Sequence, residues 1–160
     1  MKPHKLLNMK SQECDFSLEY EEIQKDISRL KDVFSSLPKA KGLSAVQIGI
    51  AKRICVMRVR GSVQVLCNPK IVHSFLGLDS NEGCESCGED RYIIKRPICG
   101  IVTYFDSTGQ EKTKFFLRNK MRIISHEIDH MNGVLISDCG EKWWCNNIYK
   151  QVKKGKSNEA

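Results

Sequence analysis

The chain has 160 residues, 26 of them basic and 19 acidic, for a net charge of +7, and 41% of its residues are hydrophobic. That length suits one domain with a core large enough to need no staples, and the composition excludes disordered, fibrous and collagen-like classes. The charge is compatible with nucleic acid, ribosomes, anionic membranes or acidic substrates but selects none of them. Much of the excess sits at Lys150, Lys153, Lys154 and Lys156, beyond the last apolar pattern, and reads as a frayed basic tail.

Residues 1 to 10 contain no apolar stretch followed by a small-residue cleavage site, and no run approaches ~18 apolar residues. A protein that is not secreted and spans no membrane is therefore expected, in the cytoplasm or another reducing compartment. In that setting most of the eight cysteines are packing residues. Cys55 in Ile54-Cys55-Val56 and Cys67 in Leu66-Cys67-Asn68 read as small hydrophobes within strands.

Over residues 17 to 37, Ile23, Ile27, Leu30, Phe34 and Leu37 recur at alternating spacings of four and three, which makes one apolar stripe on a scaffold helix. Ser17 is the expected cap, Glu19, Glu21 and Glu22 suit its positive end, and Pro38 with Gly42 marks the stop. Residues 53 to 59 and 63 to 66 are rich in β-branched side chains and flank Arg60-Gly61-Ser62, a hairpin signal. A second hairpin joins 98 to 105 with 112 to 117 through Asp106-Ser107-Thr108-Gly109. Asn119 is placed to cap a helix running to about Met131, with Ile124, Ile128 and Met131 inward and Gly133 ending it. Residues 141 to 153, with Trp143, Trp144, Ile148 and Val152, predict a short closing helix. The order helix, strands, helix gives one α+β domain spanning residues 1 to 160. Its core covers about 17 to 138 and its C-terminal extension 139 to 160.

The second long helix carries His126-Glu127-Ile128-Asp129-His130, an H-E-x-x-H pattern. Side chains four apart lie one above the other on a helix, so the two imidazoles can converge on one metal ion. Glu127 then stands beside that ion, able to take a proton from water and return it to a leaving group. A catalytic site of this type needs a third protein ligand and an open position. Asn81-Glu82-Gly83-Cys84-Glu85-Ser86-Cys87-Gly88 offers two thiols in a glycine-bearing turn. By itself Cys84-x-x-Cys87 could be half of a zinc knuckle, a redox pair or packing, and the first two are disfavoured because no second C-x-x-C lies at zinc-ribbon spacing and no βαβ pattern surrounds it.

Three segments in order, Gly42-Leu43-Ser44-Ala45-Val46-Gln47, Glu82-Gly83-Cys84-Glu85-Ser86 and His126-Glu127-Ile128-Asp129-His130, resemble the signature motifs of peptide deformylases. With the strands between them the resemblance covers roughly residues 20 to 138. It implies an α+β fold with antiparallel sheets packed around a central helix that bears the H-E-x-x-H motif. It also implies Cys84, His126 and His130 as ligands of a single divalent metal, with Glu127 as acid and base. Gln47 and the backbone N–H of Glu85 would stabilise the oxyanion formed on the formyl group, one such donor being worth ~2.7 to 4 kcal/mol.

The substrate would be the N-formylmethionine end of a nascent peptide, and the products formate and a free N-terminal methionine. Gly42, Leu43 and Arg91 would border the substrate, Glu82 and Arg96 would pair to steady the cysteine turn, and Asp129 would orient an imidazole or form a surface ion pair. A thiolate with two imidazoles suits zinc or ferrous iron, and the resemblance favours Fe(II) for activity with Zn(II) as the more stable occupant. Ribosome contact through the basic tail is compatible with a nascent-chain substrate, and no specific nucleic acid is expected. Ala40, Ser44, Glu85 and Ser125 depart from the usual residues of these motifs without removing a reacting group, which bears on peptide preference. Two other readings share parts of the pattern: a metal amidase or peptidase acting on another bond, and a binding module whose structural zinc takes Cys87 as fourth ligand.

Overall fold

A computed structural model describes residues 5–84, 90–139 and 141–142. Among these residues the chain forms one antiparallel sheet with strands β1 (Gly42–Ser44), β2 (Ile54–Val59), β3 (Ser62–Gly83), β4 (Arg91–Phe105), β5 (Glu111–Leu117) and β6 (Glu141–Lys142). The order is β1-β2-β3-β4-β5, with β6 paired to the start of β4. The helices are α1 (Tyr20–Ser35), α2 (Asn119–Met131) and the single turn α3 (Ile136–Cys139), with 3₁₀ turns at Lys5–Asn8 and Ala45–Ile48. The mixed helix and strand architecture is the expected one, and both hairpin turns fall where the turn residues put them.

Local expectations change at both helix starts: Asn119, expected to cap α2, is its first helical residue, and Arg118 before it makes no side-chain cap. Ser17 does not cap α1, because its N–H and hydroxyl both donate to Asp15, and the helix starts three residues later. The run from Asn68 to Gly83, full of turn formers, belongs to β3. It stays extended because β4 pairs with it as far as Gly83↔Arg91. Pro69, which has no N–H for a ladder, falls in the register shift between Cys67 and Lys70, where none is needed. The strands therefore form one continuous sheet. Of the closing helix expected over 141 to 153, residues 143 to 153 lie outside the described residues, and Glu141–Lys142 is a strand.

The core has two main parts. Ile23, Ile27, Leu30 and Phe34 of α1 pack against Leu43, Ile54, Val56 and Cys67, and each large side chain so buried contributes about 1.5 to 3 kcal/mol. Met121, Ile124, Ile128 and Met131 of α2 pack against Met57, Leu66, Val102 and Phe116. The end of α2 is fixed by Gly133, at φ 77°: its N–H donates to the His130 carbonyl, and the Val134 N–H donates to Asp129. Arg53, buried beneath that end, donates to the carbonyl of Met131 and to Asn132 Oδ1.

Candidate active site

Three elements converge on one cleft. β1 and the 3₁₀ turn after it bring Gly42, Ser44 and Gln47, the end of β3 brings Glu82 and Cys84, and α2 brings His126, Glu127 and His130. On a strand, neighbouring side chains point to opposite faces. Gly42 thus faces α2, while Leu43 is fully buried in the apolar cluster under α1 and does not line the cleft. A Cβ on Gly42 would strike Glu127 Oε1 and come within 2.7 Å of Ile123 Cγ2, so the absence of a side chain here makes room for the Glu127 carboxylate itself.

Cys84 Sγ lies 3.1 Å from His130 Nε2, and that nitrogen lies 3.2 Å from His126 Nε2. The three atoms fall within 4.8 Å of one another. Burial opposes ionisation of the thiol, but hydrogen bonds with His126 and His130 outweigh it and bring Cys84 down to about 5. Burial likewise disfavours a charged His126, yet hydrogen bonds to Cys84 and Glu82 raise it to about 10. One thiolate facing two imidazole nitrogens is a donor set that fits a divalent cation of intermediate softness. The other nitrogen of His126, Nδ1, contacts Glu82 Oε2 at 3.0 Å.

Glu82 is itself held. Arg96 Nε and Nη2 each reach its carboxylate at 3.1 Å, and Arg96 Nη1 also bonds Asp129. Burial would raise the Glu82 pKa, but His126 and Arg96 hold it down at about 2. The expected Glu82–Arg96 pair is therefore present. The acceptor on His126 is Glu82, whereas Asp129, partly exposed, engages Arg96 instead of an imidazole. Of the two roles expected for Asp129, imidazole acceptor or ion pair, the ion pair is the one present. Glu82 is 44 residues from His126, and only the fold brings the two together.

Gln47 is clamped: the Ser44 N–H and hydroxyl both donate to its Oε1, at 2.9 and 3.0 Å. That fixes the amide so that Nε2 turns toward Cys84 Sγ, 3.9 Å away. Ser44 went unassigned in the sequence, although its spacing of three from Gln47 is the signature of such a reciprocal clamp. Glu127 is buried with Oε2 unbonded among the described residues, and burial pushes its carboxyl up against the opposing pull of His126 and His130. Arg91 lines the cleft and donates to Asn81. Glu85 and Cys87 lie outside the described residues.

The profile of the polypeptide deformylase family matches residues 1–143. The peptide deformylase of Finegoldia magna is 34% identical over 128 residues, covering 76% of this chain and 79% of that one. Among solved structures, a Plasmodium falciparum peptide deformylase in complex with inhibitor superposes with a TM-score of 0.77 at 28% identity, covering 98% of this chain and 94% of that one. The Thermotoga maritima peptide deformylase superposes equally well, TM-score 0.77 at 29% identity, over 84% of this chain and 90% of that one. The chain belongs to the polypeptide deformylase family.

Proposed function

We propose that Cys84, His126 and His130 hold one divalent metal and that Glu127 carries the proton in the hydrolysis of a formyl amide. The chain is a hydrolase that removes the formyl group from the N-formylmethionine of nascent peptides, leaving formate and a free N-terminal methionine. The observation that carries the assignment of roles is the convergence of one thiol and two imidazole nitrogens beside a buried carboxylate with an unbonded oxygen. A divalent ion held there supplies Lewis acidity, which lowers the pKa of water and polarises a carbonyl.

The residues supply the rest. Glu127, raised by burial toward the range of a working acid and base, accepts a proton from the attacking water. As the oxygen adds to the formyl carbon, the carbonyl becomes an oxyanion, toward which Gln47 Nε2 is fixed by the Ser44 clamp. The Glu85 N–H is the second donor in this reading. Glu127 then returns the proton to the amine nitrogen as the carbon–nitrogen bond breaks. Glu82, braced by Arg96, holds His126 by its Nδ1, a support whose loss typically costs 10- to 100-fold in metal affinity.

Fe(II) is the proposed native metal, with Zn(II) as a more stable and less active occupant. Residues 1 to 160 form one catalytic domain with Gly42 and Arg91 bordering the substrate. A reducing compartment is proposed, because an oxidised Cys84 would not ligate. Residues 143–160 carry the proposed ribosome contact, which co-sedimentation of a chain ending at Lys142 would test. The central experiment is formate release from a formyl-Met peptide under anaerobic conditions after loading with Fe(II) or Zn(II), with the acetylated peptide as control. Full activity of Glu127→Ala at unchanged metal content would refute the mechanism, and equal hydrolysis of the acetylated peptide would favour a general amidase.

A further inference from the structure

The cleft of about 540 Å³ that opens onto Cys84, His126 and Glu127 carries four cations among its described lining residues. Lys39 and Lys41 border it from the segment entering β1, Arg91 from the first residue of β4, and Arg122 from α2. Arg122 stands four residues before His126, on the same helix face and about 6 Å along the axis. Its guanidinium, like the ammonium groups of Lys39 and Lys41, has no carboxylate or hydrogen-bond partner among the described residues. The carboxylates of the cleft are occupied otherwise. Glu82 is bound by Arg96 and His126, Glu127 is buried behind Gly42, and Asp90 is the one acid on the described rim, with Glu85 and Glu89 outside the described residues.

A basic helix face is usually just solvated, and a single arginine would carry nothing. These cations come instead from separate elements and converge on one cavity beside the reacting groups. β1 is the edge strand of the sheet. A peptide extended along it from Gln47 passes Gly42, then Lys41 and Lys39, opposite Arg122. At about 3.3 Å per residue, the second and third residues of the substrate lie within roughly 10 Å of its formylated end, inside this ring of charge.

We propose that Arg122, with Lys41 and Lys39, makes the site selective for formylated peptides that bear an acidic side chain at the second or third position. The inference rests on the deformylase reading and concerns only which nascent chains are processed fastest. A carboxylate in a partly enclosed cleft meets several cations at once, and the preference should weaken as salt screens them.

The test compares kcat/KM for formyl-Met-Ala-Ala-Ala peptides, amidated at the C-terminus so that no terminal carboxylate confuses the result, with versions carrying Glu or Lys at position two or three. For the metal-loaded protein at low salt, Glu should be favoured over Ala about five- to tenfold and Lys disfavoured. The Glu-to-Ala ratio should fall toward one in Arg122→Gln, invert in Arg122→Glu, and survive Lys114→Ala, which removes a lysine outside the cleft. Each ratio is internal to one variant, so a loss of folded protein leaves it readable. Equal rates for Glu, Ala and Lys peptides, or a ratio untouched by Arg122→Glu, overturn the proposal. Failure to release formate from any peptide would instead sink the deformylase reading itself.

Discussion

Helices α1 and α2 bury one face each against the same sheet, but with different contents. α1 buries Ile23, Ile27, Leu30 and Phe34 and nothing polar. α2 buries Met121, Ile124, Ile128 and Met131, and with them Ser125, Glu127 and His130. The apolar half of α2 anchors it as α1 is anchored, which lets the other half hold ionisable groups at fixed positions in a low-dielectric site. Buried charge is tolerable only when paired, and the chain meets that demand with Glu82, Arg96 and Asp129. Glu127 Oε2 has no such partner among the described residues, and burial raises its carboxyl instead.

The sharpest way to break this contrast is Glu127→Gln. Formate release should fall by about 10² to 10⁴, while thermal stability holds or rises, since a buried, desolvated carboxylate becomes a neutral amide. Stopped assays with parallel melting curves and metal analysis would show it; loss of stability in step with activity would make Glu127 a structural residue. Phe34→Ala is the mirror experiment. It should cost about 3 to 5 kcal/mol of stability, read by denaturant unfolding, and leave kcat per folded molecule unchanged.

Arg96→Ala falls between the two classes. Removing one partner of a buried pair is expected to destabilise the fold by roughly 3 to 5 kcal/mol and, by releasing Glu82 from its brace on His126, to weaken metal binding about 10- to 100-fold. Competition with a chelator reads the second effect. A variant that kept wild-type metal affinity would confine Arg96 to a packing role. Ser44→Ala should have the smallest effect. The backbone N–H of residue 44 still holds Gln47 Oε1, so losing the hydroxyl bond removes about 0.5 to 1.5 kcal/mol. A fall in kcat of less than about tenfold with KM unchanged is expected, and a shift in KM alone would place Ser44 in substrate binding.

Periodicity made both helices legible. The stripe at 23, 27, 30 and 34 is buried as spaced, as is that at 124, 128 and 131, whereas Leu37, expected to end the first stripe, is half-buried and lies past the end of α1. Hairpin turns at 60 to 62 and 106 to 109 were equally plain, because their residues state their own backbone requirements. The strand from Asn68 to Gly83 was not, since Ile71, Val72 and Phe75 favour extension while Pro69, Gly77, Asp79, Ser80 and Asn81 read as turn formers, and pairing with β4 decides between them. Leu43 shows the same limit at one residue: its motif suggested a substrate wall, and strand alternation turned it into the core.

The candidate metal ligands divide along the same line. Two imidazoles four residues apart are a local statement, complete within one helical turn. The third donor was suggested by a resemblance of motifs, but its approach to 3.1 Å from His130 depends on where β3 ends. Glu82 reaches His126 and Arg96 because the β3–β4 register puts Glu82↔Tyr92 and Leu78↔Arg96 on one face of the sheet, and Arg122 lines the same cleft as the lysines before β1 because α2 packs against that strand. The sequence by itself determined which groups could do the chemistry, through spacings that a single element can express. Tertiary structure decided which group holds which, because hydrogen-bond partners 14 or 44 residues apart are set by strand register and helix docking, and neither is written in any local pattern.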